Sequence, residues 1–500
     1  MKKKISTSLF KEVENVTNFS EILKIISEKF PENIFLVEKN VKINFYQFNV
    51  LVNKCCNYFL KKNIKKKDVI TINLSNSIEF IILYFAIIRY GAIINPIPYG
   101  TSNENLKSFL KLSKSKIFFT RKYLNKQNIN NFVINGYGNF LKKINKYSEN
   151  FSGPKIFAKD ICVLYFSSGT TEKSKLIKYS NLAMINNQKM MVKSNFLKNH
   201  SVHMCILPMG HTAALRYSIK NALITAGKVH IYKNFWEIKD IFWKEIVKNS
   251  INFVGVVPTI LQTILINSKK INKKINHLKF IGCGSSILSK ALQKKFEKKF
   301  KTKVSNLYGM SEVGLSTFDD PHKKNRKIGS IGDPLVGVKI KLFSKKKIIS
   351  KNNQVGEIGI KTPAIFSGYM GLKKNKNMFI KKYFLSGDLG KTISKKIFFI
   401  DRNKDIIIKG GINIVPQEID DCLNSHPSIK ESATLGIIDD FFGENIKSFV
   451  VLFKNKKVEE KKILNFCRKK LGFFKSPIKI QFLEKLPKTQ SGKILKRILK

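Results

Sequence analysis

A hydroxyl-rich loop flanked by lysines is the first feature of this sequence that could do chemistry. Leu164-Tyr-Phe-Ser-Ser-Gly-Thr-Thr-Glu-Lys-Ser-Lys175 begins as an apolar, strand-like run. It passes through Ser167, Ser168, Gly169, Thr170 and Thr171 and ends on lysines. Hydroxyls and backbone N–H groups of such a loop can cradle phosphate oxygens. Gly169 lets the backbone approach closely, and Lys175 can neutralise charge. The spacing is not G-x-x-x-x-G-K-[ST], so this is not a P-loop. Alone, a Ser/Thr/Gly loop is more often an ordinary turn.

Four more segments follow in order. Asn306-Leu-Tyr-Gly-Met-Ser-Glu-Val-Gly314 comes after a strand-like run, as does Ser386-Gly-Asp388. Asp401-Arg-Asn-Lys-Asp-Ile-Ile-Ile-Lys-Gly-Gly-Ile-Asn-Ile-Val-Pro-Gln-Glu418 is next, and Pro487-Lys-Thr-Gln-Ser-Gly-Lys-Ile494 lies near the end. Each alone has a plain reading: a core aromatic for Tyr308, a helix N-terminal acid for Glu312, a turn for Asp388, solvated charges for Arg402 and Lys404, a hairpin for Gly410-Gly411. Together, in this order and spacing, the five segments resemble the adenylate-forming (AMP-binding) superfamily. That superfamily includes acyl- and aryl-CoA synthetases, luciferases and peptide-synthetase adenylation domains. The resemblance runs over roughly residues 20–497.

The resemblance implies that ATP and a carboxylic acid give an acyl-adenylate and pyrophosphate, after which a thiol takes the acyl group. Ser167, Ser168, Gly169, Thr170, Thr171 and Lys175 would contact the β- and γ-phosphates, where the leaving group's developing charge needs fixed donors. Tyr308 and Gly309 would meet the adenine, and Gly282-Cys-Gly-Ser-Ser286 would line the adenine and acyl sites. Ser311 would touch the phosphate, and Glu312 would help to hold Mg²⁺. Asp388 would accept from the ribose hydroxyls, with Arg402 beside it. Lys493 would be the catalytic lysine between the attacking carboxylate and the α-phosphate. Lys404 would be the hinge of a rotating C-terminal domain that brings Gly410-Gly411 in for a CoA tunnel. His211, in Leu207-Pro-Met-Gly-His-Thr-Ala-Ala-Leu215, would be a catalytic gate beside the acid.

Two positions depart from the pattern. Glu172 stands where the family usually has Gly, and Ser174 where it has Pro. Glu172 puts a negative charge beside a phosphate site. No Asp lies between 207 and 220 to hold an α-ammonium, which disfavours an amino acid and favours a simple acyl or aryl acid. Arg216 is either a partner for a second carboxylate on the substrate or a surface residue.

The expected activity is therefore an ATP-dependent acid–CoA ligase using ATP, Mg²⁺ and CoA. Two alternatives stay open. One is a stand-alone adenylation enzyme that loads the phosphopantetheine of a separate carrier protein. The other is a degenerate, non-catalytic adenylate binder.

These segments need a scaffold. The 500 residues exceed what one core holds, and a 43% hydrophobic share is enough to build several. Short apolar runs at 68–74, 92–96, 162–168, 203–207, 228–232, 252–257, 278–283 and 303–307 alternate with helical patterns such as 76–90, 237–249 and 289–300. That rhythm predicts parallel sheets with covered faces. After Gly309, Gly-punctuated segments at 329–343 and 356–362 predict a small barrel-like subdomain. A helix at 416–424, strands near 432–438 and 447–453, a helix at 458–471 and a strand at 478–483 predict a small α+β C-terminal domain. The expected division is 1–401, binding ATP and acid, and 402–500, mobile and carrying Lys493.

The net charge of +58 raises nucleic acid as a partner. Only seven of the 92 basic residues are Arg, however, and Lys is spread along the whole length. That pattern is a lysine-coated surface, without a specific nucleic-acid site. Seven cysteines with no CxxC spacing fit free thiols in a reducing cytoplasm. The apolar run from Ile78 carries Glu79 and Arg89 and is too short to span a bilayer. No signal peptide is read at the N-terminus.

Overall fold

The apolar run from Ile78 folds as the helix Ile78–Tyr90. Ser77 starts it by accepting from the Phe80 N–H, and Gly91, at φ +77°, ends it in the left-handed region. Every residue of this helix is buried because it packs against strands of two different sheets. Its charges are paired: Glu79 with Arg121 at 2.5 Å, and Arg89 with Ser20 and Asn53. In this computed structural model residues 11–122, 129–166, 175–194, 196, 198–269, 275–371, 378–489, 492 and 494–499 are described, Lys404 by its backbone alone.

The described strands form four sheets. The largest runs, edge to edge, Asp333–Pro334, Gly314–Phe318, Val304–Met310, Phe280–Gly284, Phe253–Val256, Val202–Cys205, Lys228–Ile231, Ile34–Glu38 and Val41–Asn44. Its six interior strands pair in parallel, and antiparallel strands close both edges. A second sheet runs Asn130–Val133, Ile117–Thr120, Val69–Asn73, Ile93–Pro96, Ile161–Phe166 and Leu176–Ser180, parallel except for the last. One apolar core spans both sheets and the helices between them.

The third sheet, Lys339–Arg402, is wholly antiparallel, carries two register shifts of the kind that bend strands, and forms a half-barrel. The fourth begins at Ile407. It has five strands, two packed helices (Pro416–Asn424 and Glu460–Leu471) and its own core around Ile407, Ile419, Leu423 and Ile463. Asp401 ties the two regions, because its Oδ2 accepts from the Gln417 N–H at 3.0 Å in the first turn of a C-terminal helix.

One expected element differs. The helix expected at 237–249 is a 3₁₀ turn, Phe235–Glu237, and a separate helix, Phe242–Lys248. Asn234 caps the turn through the Glu237 N–H, and Ile238 leaves helical geometry at φ −121°. All seven cysteines are free and buried. Burial pushes Cys162 and Cys205 up to about 12 and drives Cys283 higher still. Among the described residues no helix is long and apolar enough to cross a membrane.

Candidate active site

The segments singled out by type and spacing mostly leave the C-terminal ends of parallel strands. These ends are Phe166, Cys205, Val256, Gly284 and Met310. Parallel pairing puts Cys205, Val256, Gly284 and Met310 on one edge of the first sheet, while Phe166 ends a strand of the second; such edges are where open α/β sheets bind ligands.

Tyr308 is on the strand Val304–Met310, 80 residues from Asp388 in the chain, yet its hydroxyl donates to Asp388 Oδ2 at 2.9 Å. Asp388 and Arg402 are cross-strand partners in the half-barrel, with Arg402 Nε 3.7 Å from Asp388 Oδ1. Burial first, then the Asp388 charge, drives the Tyr308 hydroxyl well above its ordinary range, so it stays a donor. Next to it, Gly309 is obligatory. A Cβ there would come within 2.2 Å of the Gly314 carbonyl oxygen across a tight hairpin. Gly282 is also confined, since a Cβ would meet Leu307 at 2.7 Å and Phe253 at 2.8 Å.

Ser311 and Glu312 occupy the turn of that hairpin, so the helix N-terminal reading of Glu312 does not apply. Tyr369 donates to Glu312 Oε1 at 3.0 Å, and Lys175 Nζ lies 5.3 Å over the Tyr369 ring. The end of the hydroxyl-rich loop is thus stitched to the Glu312 turn. Lys178 N–H donates to the Gly368 carbonyl and Ser367 N–H to the Lys178 carbonyl, holding Tyr369 in place. Burial raises the Glu312 carboxyl, with the Tyr369 hydrogen bond and Arg402 pulling it back down. Among the described residues no three His, Cys, Asp or Glu side chains converge. Glu312 alone would offer a cation one carboxylate, leaving its other positions to phosphate oxygens and water, a donor set that would fit Mg²⁺. Tyr369 is not legible from sequence, because Gly368-Tyr-Met is an ordinary turn sequence until its partners are known.

His211, expected as the gate, is the N-cap of the short helix Thr212–Ala214. Its Nε2 is buried with no partner, and burial lowers the imidazole to about 4, leaving it neutral. Ser286 Oγ is likewise buried and unpartnered. The chain then passes through a π-helix, Leu215–Ile219. Arg216 sits inside it and is buried, so the surface reading of this residue is wrong.

Ser167, Ser168, Gly169, Thr170 and Thr171, with Glu172 and Ser174, lie outside the described residues, as does Lys493. Its neighbour Gly492 is described. A Cβ there would come within 2.7 Å of Thr259 Oγ1, so the C-terminal motif presses on the corner after strand Phe253–Val256. Lys404 lies in a single 3₁₀ turn, Asn403–Asp405, between the half-barrel and the fourth sheet. Gly410 and Gly411, at φ +54° and +79°, make the hairpin between Ile407–Lys409 and Ile412–Ile414. Both are solvent-exposed.

Fold and site together define a nucleotide-binding α/β enzyme with an appended C-terminal domain. Residues 24–370 match the family described as AMP-binding enzyme, and residues 418–493 match its C-terminal domain. The chain belongs to the AMP-binding enzyme family. It is 28% identical to an oxalate–CoA ligase of Saccharomyces cerevisiae, covering 93% of each chain. It is 28% identical to a 2-succinylbenzoate–CoA ligase of Lactococcus lactis, covering 96% of this chain and 99% of that one. The fold superposes on ATP-bound MatB from Rhodopseudomonas palustris with a TM-score of 0.88, at 24% identity over 96% of this chain and 98% of that chain.

Proposed function

We propose that this chain is an AMP-forming carboxylic acid–CoA ligase. The carrying observation is the convergence of Tyr308, Asp388, Arg402, Glu312, Tyr369 and Lys175 from separated segments, in a chain of the AMP-binding enzyme family. Full-length relatives named as CoA ligases make CoA the thiol acceptor, and nothing favours a carrier protein.

Adenine lies against Tyr308 and Gly309, and Asp388 accepts from the ribose hydroxyls while Arg402 holds its carboxylate in place. Ser167, Ser168, Gly169, Thr170, Thr171, Lys175 and Ser311 bind phosphate oxygens. Glu312 is the protein ligand for Mg²⁺, which when bound neutralises phosphate charge. The acid's carboxylate oxygen attacks the α-phosphorus, and the bond to pyrophosphate breaks. Lys493, protonated, bridges the two anions in that transition state. Neutral His211 and Gly282 border the acid. The CoA thiolate then attacks the acyl carbon and AMP leaves.

Residues 1–401 form the ATP- and acid-binding domain and 402–500 the mobile domain, with Lys404 as hinge. The Gly492 turn against Thr259, and an exposed Gly410-Gly411 hairpin, fit the arrangement for adenylation. A rotation must then bring Gly410-Gly411 inward for the pantetheine arm. The seven free, buried thiols are consistent with a reducing cytoplasm.

The test is ATP–pyrophosphate exchange over a panel of carboxylic acids, followed by CoA-thioester formation with each acid that exchanges. Exchange dependent on an acid, with AMP and thioester in equal amounts, supports the reading. Absence of acid-dependent exchange with intact fold overturns it.

A further inference from the structure

The acid pocket is followed by a buried charge that the reaction described above does not use. Arg216 is 6% exposed and lies within the π-helix Leu215–Ile219, a rare element that recurs at functional sites. A guanidinium carries its charge throughout the range in which proteins are folded. The Tyr217 side chain is its hydrogen-bond partner, and among the described residues no carboxylate lies within ion-pair distance of it. Four residues further on, Lys220 is 2% exposed and has no carboxylate partner among the described residues either. Its ammonium nitrogen lies over the rings of Phe19 and Tyr84, at 5.8 and 5.9 Å. Tyr84 and Tyr165 hydroxyls meet at 3.2 Å beside it.

Two basic groups, tyrosine rings and no acid make a site that is incomplete without an anion. Burial, then the Arg216 charge, holds the Lys220 amine well below its ordinary range. The uncompensated charge is thus concentrated on Arg216. Leaving a charge buried without a partner is strongly unfavourable, and an incoming anion relieves it. Arg216 follows the gate His211 by only five residues, through the short helix Thr212–Ala214 and into the π-helix. His211 Nε2 is also buried and unpartnered. Two groups this close in the chain suit a short diacid held between them.

We infer that Arg216 is the specificity determinant for the acid and binds a second anionic group, so that the substrate is a short dicarboxylate or similar dianion. This rests on the ligase reading. No covalent step is added: the distal anion is held by the guanidinium while the proximal carboxylate is adenylated.

The experiment compares pairs of similar length, succinate with butyrate and glutarate with valerate, plus oxalate and malonate. It measures pyrophosphate exchange and the rise in melting temperature with acid alone. In the wild type, diacids should exceed their monoacid partners in kcat/KM by about a hundredfold or more, because a site built for a polar group is left unpaired by the analogue lacking it. Arg216→Met should collapse that ratio through the acid KM, and Arg216→Lys should restore part of it. Equal use of monoacids and diacids by the wild type overturns the proposal, even where Arg216→Met does not fold. So does an Arg216→Met that lowers both by the same factor. If no acid supports exchange, the ligase reading fails. In that case a melting-temperature rise with diacid, absent with monoacid, lost in Arg216→Met and partly kept in Arg216→Lys, still supports the subsite, and no such rise overturns it.

Discussion

Replacing Asp388 by Asn tests the nucleotide site with almost no change of shape. In the structure one carboxylate oxygen takes the Tyr308 hydroxyl at 2.9 Å, and the other faces Arg402 at 3.7 Å. The introduced amide can keep one acceptor for Tyr308. Its NH₂ then points a donor at Arg402 and at the space assigned to the ribose hydroxyls, and the negative charge is gone. Hydrogen bonds to charged groups are worth about 1.5–3 kcal/mol. At about 1.4 kcal/mol per tenfold, Asp388→Asn should raise the KM for ATP by roughly 10- to 100-fold. The assay is pyrophosphate exchange with ATP, 2′-deoxy-ATP and 3′-deoxy-ATP, run on wild type and variant as a double-mutant cycle. Wild type should discriminate against the deoxy nucleotides, and the variant should discriminate far less. A variant that loses the same factor with all three nucleotides, at unchanged melting temperature, would refute the ribose assignment. An unchanged KM for ATP would refute it outright.

Lys493→Ala should lower pyrophosphate exchange by about a hundredfold or more, as expected for a charge felt mainly in the transition state, yet spare thioester formation from supplied acyl-adenylate; near-normal exchange would remove Lys493 from its role. Burial raises the Glu312 carboxyl, so Mg²⁺ must compete with a proton at a pH above the ordinary carboxylate range, and activity should fall as pH drops through that raised value. The stability contribution of Glu312 has the opposite sign: it is present below the unfolded pKa and lost as pH rises through the folded one. Glu312→Gln should erase this acid limb and raise the Mg²⁺ requirement by about tenfold or more, and an unchanged Mg²⁺ titration would exclude Glu312 as a ligand.

Much of this was legible because the chemistry-bearing residues sit at strand ends, and strand ends are marked in sequence by a shift from apolar runs to Gly, Ser and Thr. The alternation that placed strands at 252–257 and 278–283 is imposed by burial on both faces, and the structure has them at Phe253–Val256 and Phe280–Gly284. Contacts over long separations were not legible. Nothing in Gly368-Tyr-Met announces that Tyr369 bonds a carboxylate 57 residues earlier. Arg216 sits among Leu, Tyr, Ser and Ile, and helical periodicity alone does not say that every side of that turn is covered. The helix expected at 237–249 begins only at Phe242, because the chain leaves helical geometry at Ile238, a departure that hydrophobic periodicity does not register.

The burial of all seven thiols has a chemical consequence. An acyl-adenylate is an electrophile that any nearby thiolate can capture. Cys283 lies on the strand Phe280–Gly284, inside the Gly282–Ser286 segment assigned to the adenine and acid sites. Burial keeps it protonated and covered. Reaction requires the thiolate, so the protein's own sulfurs are silent competitors. Burial of this kind leaves the activated acyl group to a thiol arriving from solution and works against self-acylation.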